Sequence, residues 1–134
     1  MKIDGACHCK QISYTAEINP ASVSICHCTD CQTQSGTAFR TVVPAKKADF
    51  HVKGEPKIYV KKTADSGNLR ALAFCPECGT SLYSTTVTDP QVYNIRLGTA
   101  RQRTELPPQS QHWMRSACSW LASIPALAST EKQR

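Results

Sequence analysis

Clustering of cysteine constrains the fold of this chain more than any other feature of its sequence. Seven of the eight cysteines fall into three short segments, Cys7-His8-Cys9, Cys26-His27-Cys28-Thr29-Asp30-Cys31 and Cys75-Pro76-Glu77-Cys78-Gly79. Cysteines separated by one or two residues are typical zinc ligands, because their sulfurs can converge on one ion at about 2.3 Å. The pattern predicts a small domain that is held together by metal ions.

The N-terminal sequence bears on whether these cysteines are reduced. Asp4 stands where a secretory signal peptide needs apolar residues, and no segment approaches the roughly 18 apolar residues of a membrane span. We therefore expect a cytoplasmic protein with no membrane partner. Cysteines stay reduced in that compartment, so the three clusters indicate metal ligation or thiol chemistry in place of disulfides.

The C-terminal cluster is the strongest local signal of a zinc site. Between Cys75 and Cys78, Pro76 stiffens the turn, and Gly79 tolerates a positive φ directly after it. Backbone amides in such a turn can point back at the first sulfur. The segment is predicted to be a zinc knuckle that supplies two of the four ligands of a closed site.

The remaining two ligands can be assigned in more than one way from spacing alone. Cys7 and Cys9 lie on one face of an extended chain and are a natural second pair for the knuckle. That choice leaves Cys26, Cys28 and Cys31 as a three-thiolate group with an open fourth position, as in working zinc sites. The middle cluster could equally pair with the knuckle and leave the first pair idle.

Outside the clusters, short alternating segments predict an all-β fold of antiparallel strands with little helix. Residues 11–18 alternate apolar and polar side chains, and turn signals follow each segment. A C-terminal piece that carries Trp113 and Trp120 is expected to fold back as an apolar lid or brace. Residues 128–134 are expected to be frayed. Further strands are predicted at residues 37–43, 49–52, 57–61, 69–74, 81–87 and 92–97.

The formal net charge of +6 raises the question of nucleic-acid binding. Four thiolates around one Zn²⁺ carry −2 and three around another carry −1, so two such sites lower the formal charge to about +3. The basic residues also alternate with apolar ones along the predicted strands and form no clustered stripe with stacking aromatics. We therefore expect no nucleic-acid partner.

The order C-x-C, C-H-C-x-x-C and C-x-x-C-G over this length resembles the glutathione-dependent formaldehyde-activating enzyme family. The matching segments extend over nearly the whole chain and are residues 5–9, residues 26–36, residues 74–82, Gly98-Thr99, His112-Trp113 and Trp120-Leu121.

The resemblance implies an Mss4-like β-tent, in which zinc staples short antiparallel strands, as one domain over residues 1–134. It implies two zinc ions per chain and a carbon-sulfur lyase activity that forms S-(hydroxymethyl)glutathione from glutathione and formaldehyde. The implied ligands are Cys7, Cys9, Cys75 and Cys78 for a structural zinc, and Cys26, Cys28 and Cys31 for a catalytic zinc.

Two residues depart from the family pattern. Lys10 follows the first C-x-C where glycine is common, and Gln32 follows Cys31 where arginine is common. An absent arginine beside the open zinc predicts weak affinity for anionic glutathione. The substrates are therefore expected to be glutathione or a related thiol, with formaldehyde or another small carbonyl compound.

Two other function classes are compatible with the sequence. In the first, both zinc ions are structural, His8 or another residue closes the second site, and the domain binds a protein partner. His27 is expected to face away from its neighbouring sulfurs. Asp30 could act as a general base, although a loop aspartate more often orders its own turn.

The second alternative is a thiol oxidoreductase that uses the eighth cysteine. Cys118 lies beside a tryptophan, and only Arg115 is close enough in sequence to lower its pKa, so a packing role is expected. His112 and Trp113 are likewise expected to be core residues.

Overall fold

The computed structural model, which describes residues 1–133, contains two β-sheets and one short α-helix. No helix among these residues is long and apolar enough to cross a membrane. The strands are β1 (Lys2–Ala6), β2 (Ser13–Glu17), β3 (Ser24–Cys26), β4 (Arg40–Lys46), β5 (Phe50–Lys53), β6 (Lys57–Lys61), β7 (Arg70–Phe74), β8 (Ser81–Thr86), β9 (Val92–Arg96) and β10 (Ser110–His112), and the helix is α1 (Thr29–Ser35). Six 3₁₀ segments connect them, at Pro20–Ser22, Lys47–Asp49, Leu97–Thr99, Arg103–Glu105, Met114–Ser116 and Ser119–Ala126.

The sheet topology confirms the all-β prediction and fits the Mss4-like fold. One sheet has the order β1-β2-β5 and the other the order β10-β3-β4-β9-β8-β7-β6. All neighbouring strands are antiparallel except β10, which runs parallel to β3. All seven predicted strands are present, with bounds shifted by up to three residues, whereas β1, β3, β10 and α1 were not predicted.

The hydrophobic core lies between the two sheets. Val43 and Ile95 are directly paired in the centre of the large sheet, and both are completely buried. Phe50 crosses from the small sheet and packs against Tyr83 and Tyr93, with ring centroids 5.2 and 5.1 Å away. Because directly paired residues project to the same side of a sheet, these pairs define the apolar face of the large sheet.

The opposite face of the large sheet carries polar side chains. Cys26 is paired with Arg40, and Val42 is paired with Arg96, so these side chains project away from the core. Further along, Leu72 is paired with Ser84 on the same face. The alternation of the strands therefore places Arg40 beside the end of β3, where the middle cysteine cluster begins, and Arg96 on the same face, across β4 from Ser24.

The C-terminal part of the described chain differs from its prediction. His112 and Trp113 are exposed, so the expectation that they are core residues is wrong. β10 extends the large sheet by pairing with β3, but Trp120 is 56% exposed, so the segment after it is not a buried apolar lid. Residues 128–133 are exposed and have no regular secondary structure. Their fraying stays a prediction, and Arg134 lies outside the described residues.

Gly5 occupies a crowded position on β1, where a side chain cannot fit. A Cβ atom there would overlap the Thr99 carbonyl oxygen and the Tyr14 ring. The Tyr14 and Thr99 hydroxyls are 2.8 Å apart, which fixes both neighbours. We expect Gly5→Ala to lower the free energy of unfolding by about 1–3 kcal/mol in chemical denaturation, as overpacking does. Gly98→Ala is the matched control, because its Cβ would meet nothing within 4 Å; equal stability of the two variants would contradict the prediction.

Candidate metal centres

The first and third cysteine clusters come together as one group of four thiols. The ligand atoms of Cys7, Cys9, Cys75 and Cys78 all lie within 4.8 Å of one another. The Cys9 sulfur is 3.6 Å from that of Cys7 and 3.7 Å from that of Cys75. Four sulfurs placed tetrahedrally at about 2.3 Å from an ion would be about 3.8 Å apart, so the donor set and its spacing fit zinc.

Local backbone geometry produces this convergence. In the knuckle, the Gly79 amide donates to the Cys75 carbonyl at 2.9 Å, and Gly79 has a φ of +75°, as the sequence predicts. At the other end, the Ile12 amide donates to the Cys7 sulfur at 3.3 Å. An amide that points at a sulfur stabilises its thiolate form, which is the form that binds metal.

The departure at Lys10 has a structural counterpart. Lys10 has a φ of +67°, in the left-handed region that glycine adopts without a steric penalty. Its amide donates to the Cys7 carbonyl at 3.0 Å and closes the tight turn after the C-x-C. The turn therefore has the backbone form that a glycine favours, with lysine in its place.

The middle cluster forms a second, separate group of three thiols. Cys26 ends β3, Cys28 is the N-cap of α1, and Cys31 lies in the first turn of that helix. The three sulfurs lie within 4.8 Å of one another, and the Cys31 amide donates to the Cys28 sulfur at 3.3 Å. The structure thus brings the motif cysteines together as four and three, and both groups could hold a metal ion.

Neither histidine of the clusters belongs to a group of potential ligands among residues 1–133. His8 is exposed. His27 is buried, its Nε2 lies 2.9 Å from the Gln111 side-chain oxygen, and its ring packs edge-on against Phe39. The prediction that His27 faces away from the neighbouring sulfurs is confirmed.

Asp30 has a different structural role from the one predicted. Its carboxylate accepts a hydrogen bond from the Thr63 hydroxyl at 2.7 Å and forms a 2.8 Å salt bridge with Lys61. Both contacts lower the pKa of Asp30, with the Lys61 contact the larger cause. Asp30 therefore ties α1 to the edge of the large sheet and does not order its own turn.

The thiols of the middle group differ in acidity. Burial raises the pKa of Cys31 to about 12. Burial also acts to raise the pKa of Cys28, but hydrogen bonds from the amide and thiol of Cys31 lower it overall. Closely spaced thiols cannot all ionise without a cation, so metal binding must displace protons and will tighten as pH rises.

The middle group opens onto a cavity of about 340 Å³ above the polar face of the large sheet. Trp113 forms part of its wall and has a φ of +60°, a strained conformation for a tryptophan. The arginine and lysine residues that line the cavity are Arg40, Lys61, Arg70 and Arg96, and His112 also lines it. A more spacious cleft, of about 870 Å³, lies on the small sheet, but no cysteine lines it.

Arg96 is the most unusual of these basic residues. Its side chain is only 8% exposed, and its buried Nε atom has no hydrogen-bond partner. Burial, followed by the charge of Arg40, lowers the pKa of Arg96 to about 9, so the guanidinium remains protonated at neutral pH. The cavity wall thus contains a buried cation with an unused donor.

Gln32 does not line this cavity. Its amide nitrogen donates to the carbonyls of His27 at 2.8 Å and Ser116 at 2.9 Å, which fastens the cysteine loop to the C-terminal segment. Cys118 is half-buried, and its sulfur lies 3.8 Å from the Gln32 side-chain oxygen. Gln32 therefore links the cysteine loop to the C-terminal segment and does not contribute to the cavity. The positive charge of the cavity comes from residues on the strands.

The family model described as glutathione-dependent formaldehyde-activating enzyme matches residues 2–116. The chain belongs to this family. The match includes both cysteine groups and every cavity residue named above. A solved structure of a Rhodobacter sphaeroides protein aligns with a TM-score of 0.61 and 18% sequence identity, covering 81% of this chain and 98% of that chain. That likeness concerns the fold alone. A search of curated proteins found no match.

Family membership indicates glutathione-linked formaldehyde activation, and the two thiol groups could each hold a metal ion. Sequence reasoning found both groups but missed the arginines of the cavity. In the sequence these arginines show only the alternation of polar and apolar residues that is typical of strands. In the structure Arg40, Arg70 and Arg96 each lie at the end of a strand.

Proposed function

We propose that this chain is a zinc-dependent carbon-sulfur lyase that adds a thiol, glutathione or a related one, to formaldehyde or another small carbonyl compound. The observation that carries the proposal is the group of three thiols that opens onto a cavity next to cationic side chains. In this account Cys26, Cys28 and Cys31 hold a catalytic zinc. The four-thiol group of Cys7, Cys9, Cys75 and Cys78 holds a structural zinc.

The donor set favours thiol binding over carbonyl activation. A bound zinc would supply a soft position at which a thiol, whose free pKa is near 8.5, loses its proton at neutral pH. Three anionic ligands make such a centre a weaker Lewis acid than three histidines would. In the overall reaction the thiol sulfur forms a bond to the carbonyl carbon, and the carbonyl oxygen takes the proton to become a hydroxyl.

The protein residues around the group support this role. The amide of Cys31 stabilises the Cys28 thiolate, and the salt bridge of Asp30 with Lys61 holds α1 against the sheet. Trp113 and Cys28 both line the cavity, so the tryptophan ring forms part of the wall of the same space as this ligand. The cavity volume suits a small ligand more than a docked protein segment.

The experiment is exchange spectroscopy on an equilibrium mixture of glutathione, formaldehyde and their adduct, since the uncatalysed reaction also proceeds. We expect zinc-loaded protein to raise the exchange rate in proportion to its concentration, and Cys31→Ser to abolish the increase. Exchange at the uncatalysed rate with fully loaded protein would instead favour a zinc module that binds a protein partner.

The two zinc ions are expected to differ in stability. The four-thiol site is closed, whereas the three-thiol site has one ligand fewer and an exchangeable position. A graded chelator titration, followed by zinc analysis, should remove one equivalent per chain well before the second. In Cys31→Ser, the release of the first zinc equivalent should be absent and the release of the second should be unchanged. Simultaneous release of both ions, or a native content of one ion per chain, would contradict the assignment.

A further inference from the structure

The polar face of the large sheet concentrates positive charge where strand pairing would normally avoid it. Arg70 is directly opposite Lys61 in the pairing of β7 with β6, and like charges in that position are destabilising. Arg40 is directly opposite Cys26, and its charge acts on the buried Arg96. Such local conflicts in a folded protein are expected at functional sites.

The positive charges of these arginines are not neutralised by carboxylates of the described chain. Asp30 pairs with Lys61, but none of the three salt bridges among residues 1–133 involves Arg40, Arg70 or Arg96. Arg40 and Arg96 are both at least nine-tenths buried, and the Nε atom of Arg96 is an unused donor. A buried cation without a partner is costly, so an anion from outside the chain would stabilise this face.

A zinc-thiolate centre offsets only part of the charge. Zinc with three cysteine thiolates carries −1, and the three arginines carry +3, which leaves the cavity at about +2. A substrate thiolate removes one further positive charge. A thiol that also carries a carboxylate would bring the cavity close to neutrality.

The arginines also lie where a longer ligand would pass. Arg40, Leu72 and Arg96 line both the cysteine cavity and a second cavity of about 390 Å³, whose wall includes Tyr59 and Phe74. A ligand with its sulfur at the cysteines therefore reaches the arginines before it enters the second cavity.

We propose that Arg40 and Arg96 bind a carboxylate of the thiol substrate, so that this enzyme selects thiols that carry a carboxylate. The inference rests on the proposed function and specifies the substrate class of the same site. A guanidinium binds a carboxylate through short, paired hydrogen bonds, which gives orientation as well as charge. Arg40 and Arg96 are positioning residues in this account, because the reacting sulfur and carbonyl carbon lie at the cysteines.

The test compares three ligands by calorimetric titration of the zinc-loaded protein. Glutathione has a thiol and carboxylates, its diethyl ester has the thiol alone, and S-methylglutathione has the carboxylates alone. We expect Arg96→Gln and Arg40→Gln each to weaken the binding of glutathione and of S-methylglutathione about tenfold or more. Binding of the diester should weaken less than about twofold. Arg96→Lys keeps the charge but loses the paired hydrogen-bond geometry, so its affinity for the two carboxylate ligands should lie between those of the wild type and Arg96→Gln. This variant also keeps the test valid if Arg96→Gln does not fold. Arg103→Gln is the control, because that arginine is exposed and lines neither cavity.

The outcomes separate this inference from the proposed function. If the diester binds but the arginine variants affect all ligands equally or none of them, the thiol site stands and the carboxylate site is overturned. If S-methylglutathione binds in an arginine-dependent way while the diester does not bind, the carboxylate site stands and the zinc-thiol function fails. Wild-type protein that binds none of the three ligands would overturn both.

Discussion

Replacing Cys75 by serine is expected to abolish the cooperative folding of the chain. Cys75 is buried with Cys7, Ile12 and Leu82 in the second core cluster, where the knuckle meets the N-terminal turn. Structural zinc sites bind with about 10 kcal/mol or more, which is comparable to the whole stability of a domain, about 5–15 kcal/mol. Loss of one ligand therefore removes most of what holds this end of the sheets together. Thermal unfolding followed by circular dichroism, with zinc analysis of the same sample, measures the effect.

Cys118→Ser is the matched control for this variant. Cys118 is the one cysteine outside both thiol groups, and the change is chemically identical. We expect it to keep two zinc ions and a transition close to that of the wild type. A Cys75→Ser protein that unfolds with the same midpoint as Cys118→Ser would show that the four-thiol group has no structural role.

Replacing Cys28 by serine is expected to leave the fold intact while it removes activity. Cys28 caps α1 through its sulfur, which accepts from the Cys31 amide, and serine is a better N-cap than cysteine. The variant therefore keeps the local hydrogen bond but loses one of three ligands of the open site. We expect the protein-dependent increase in the exchange rate to be lost, as in Cys31→Ser, because the metal that would bind the reacting thiol is no longer held. The zinc content should fall from two ions to one.

The comparison of the two serine variants tests the division of the sites. Thermal unfolding should show Cys28→Ser near the wild type and Cys75→Ser without a transition. Unfolding of Cys28→Ser as complete as that of Cys75→Ser would make the middle group structural. The lyase proposal would then lose its main support.

Much of the fold was predictable because its signals are local. Alternation along 57–61 and 81–87 marks strands that the structure contains, and the spacing of each cluster brings its own sulfurs together. α1 was missed because its seven residues carry no apolar periodicity and its cap is a cysteine. β3 and β10 have only three residues each, too few to show alternation.

The cavity could not be predicted because its residues are far apart in sequence. Arg40 and Arg96 become neighbours only through the pairing of β4 with β9. The same pairing decides that both arginines face away from the core. Trp113 was expected to be buried because it is large and apolar, but the parallel pairing of β10 with β3 places it at the cavity wall.

In the proposed arrangement, one zinc has four cysteine ligands, and the other has three and an open position that accepts a thiol. X-ray absorption at the zinc edge counts sulfur neighbours directly. We expect an average of about 3.5 sulfurs per zinc in the fully loaded protein, the mean of four and three, rising to about 4 when glutathione is added. An average of 4 before any thiol is added, or no change on its addition, would contradict this arrangement of ligands.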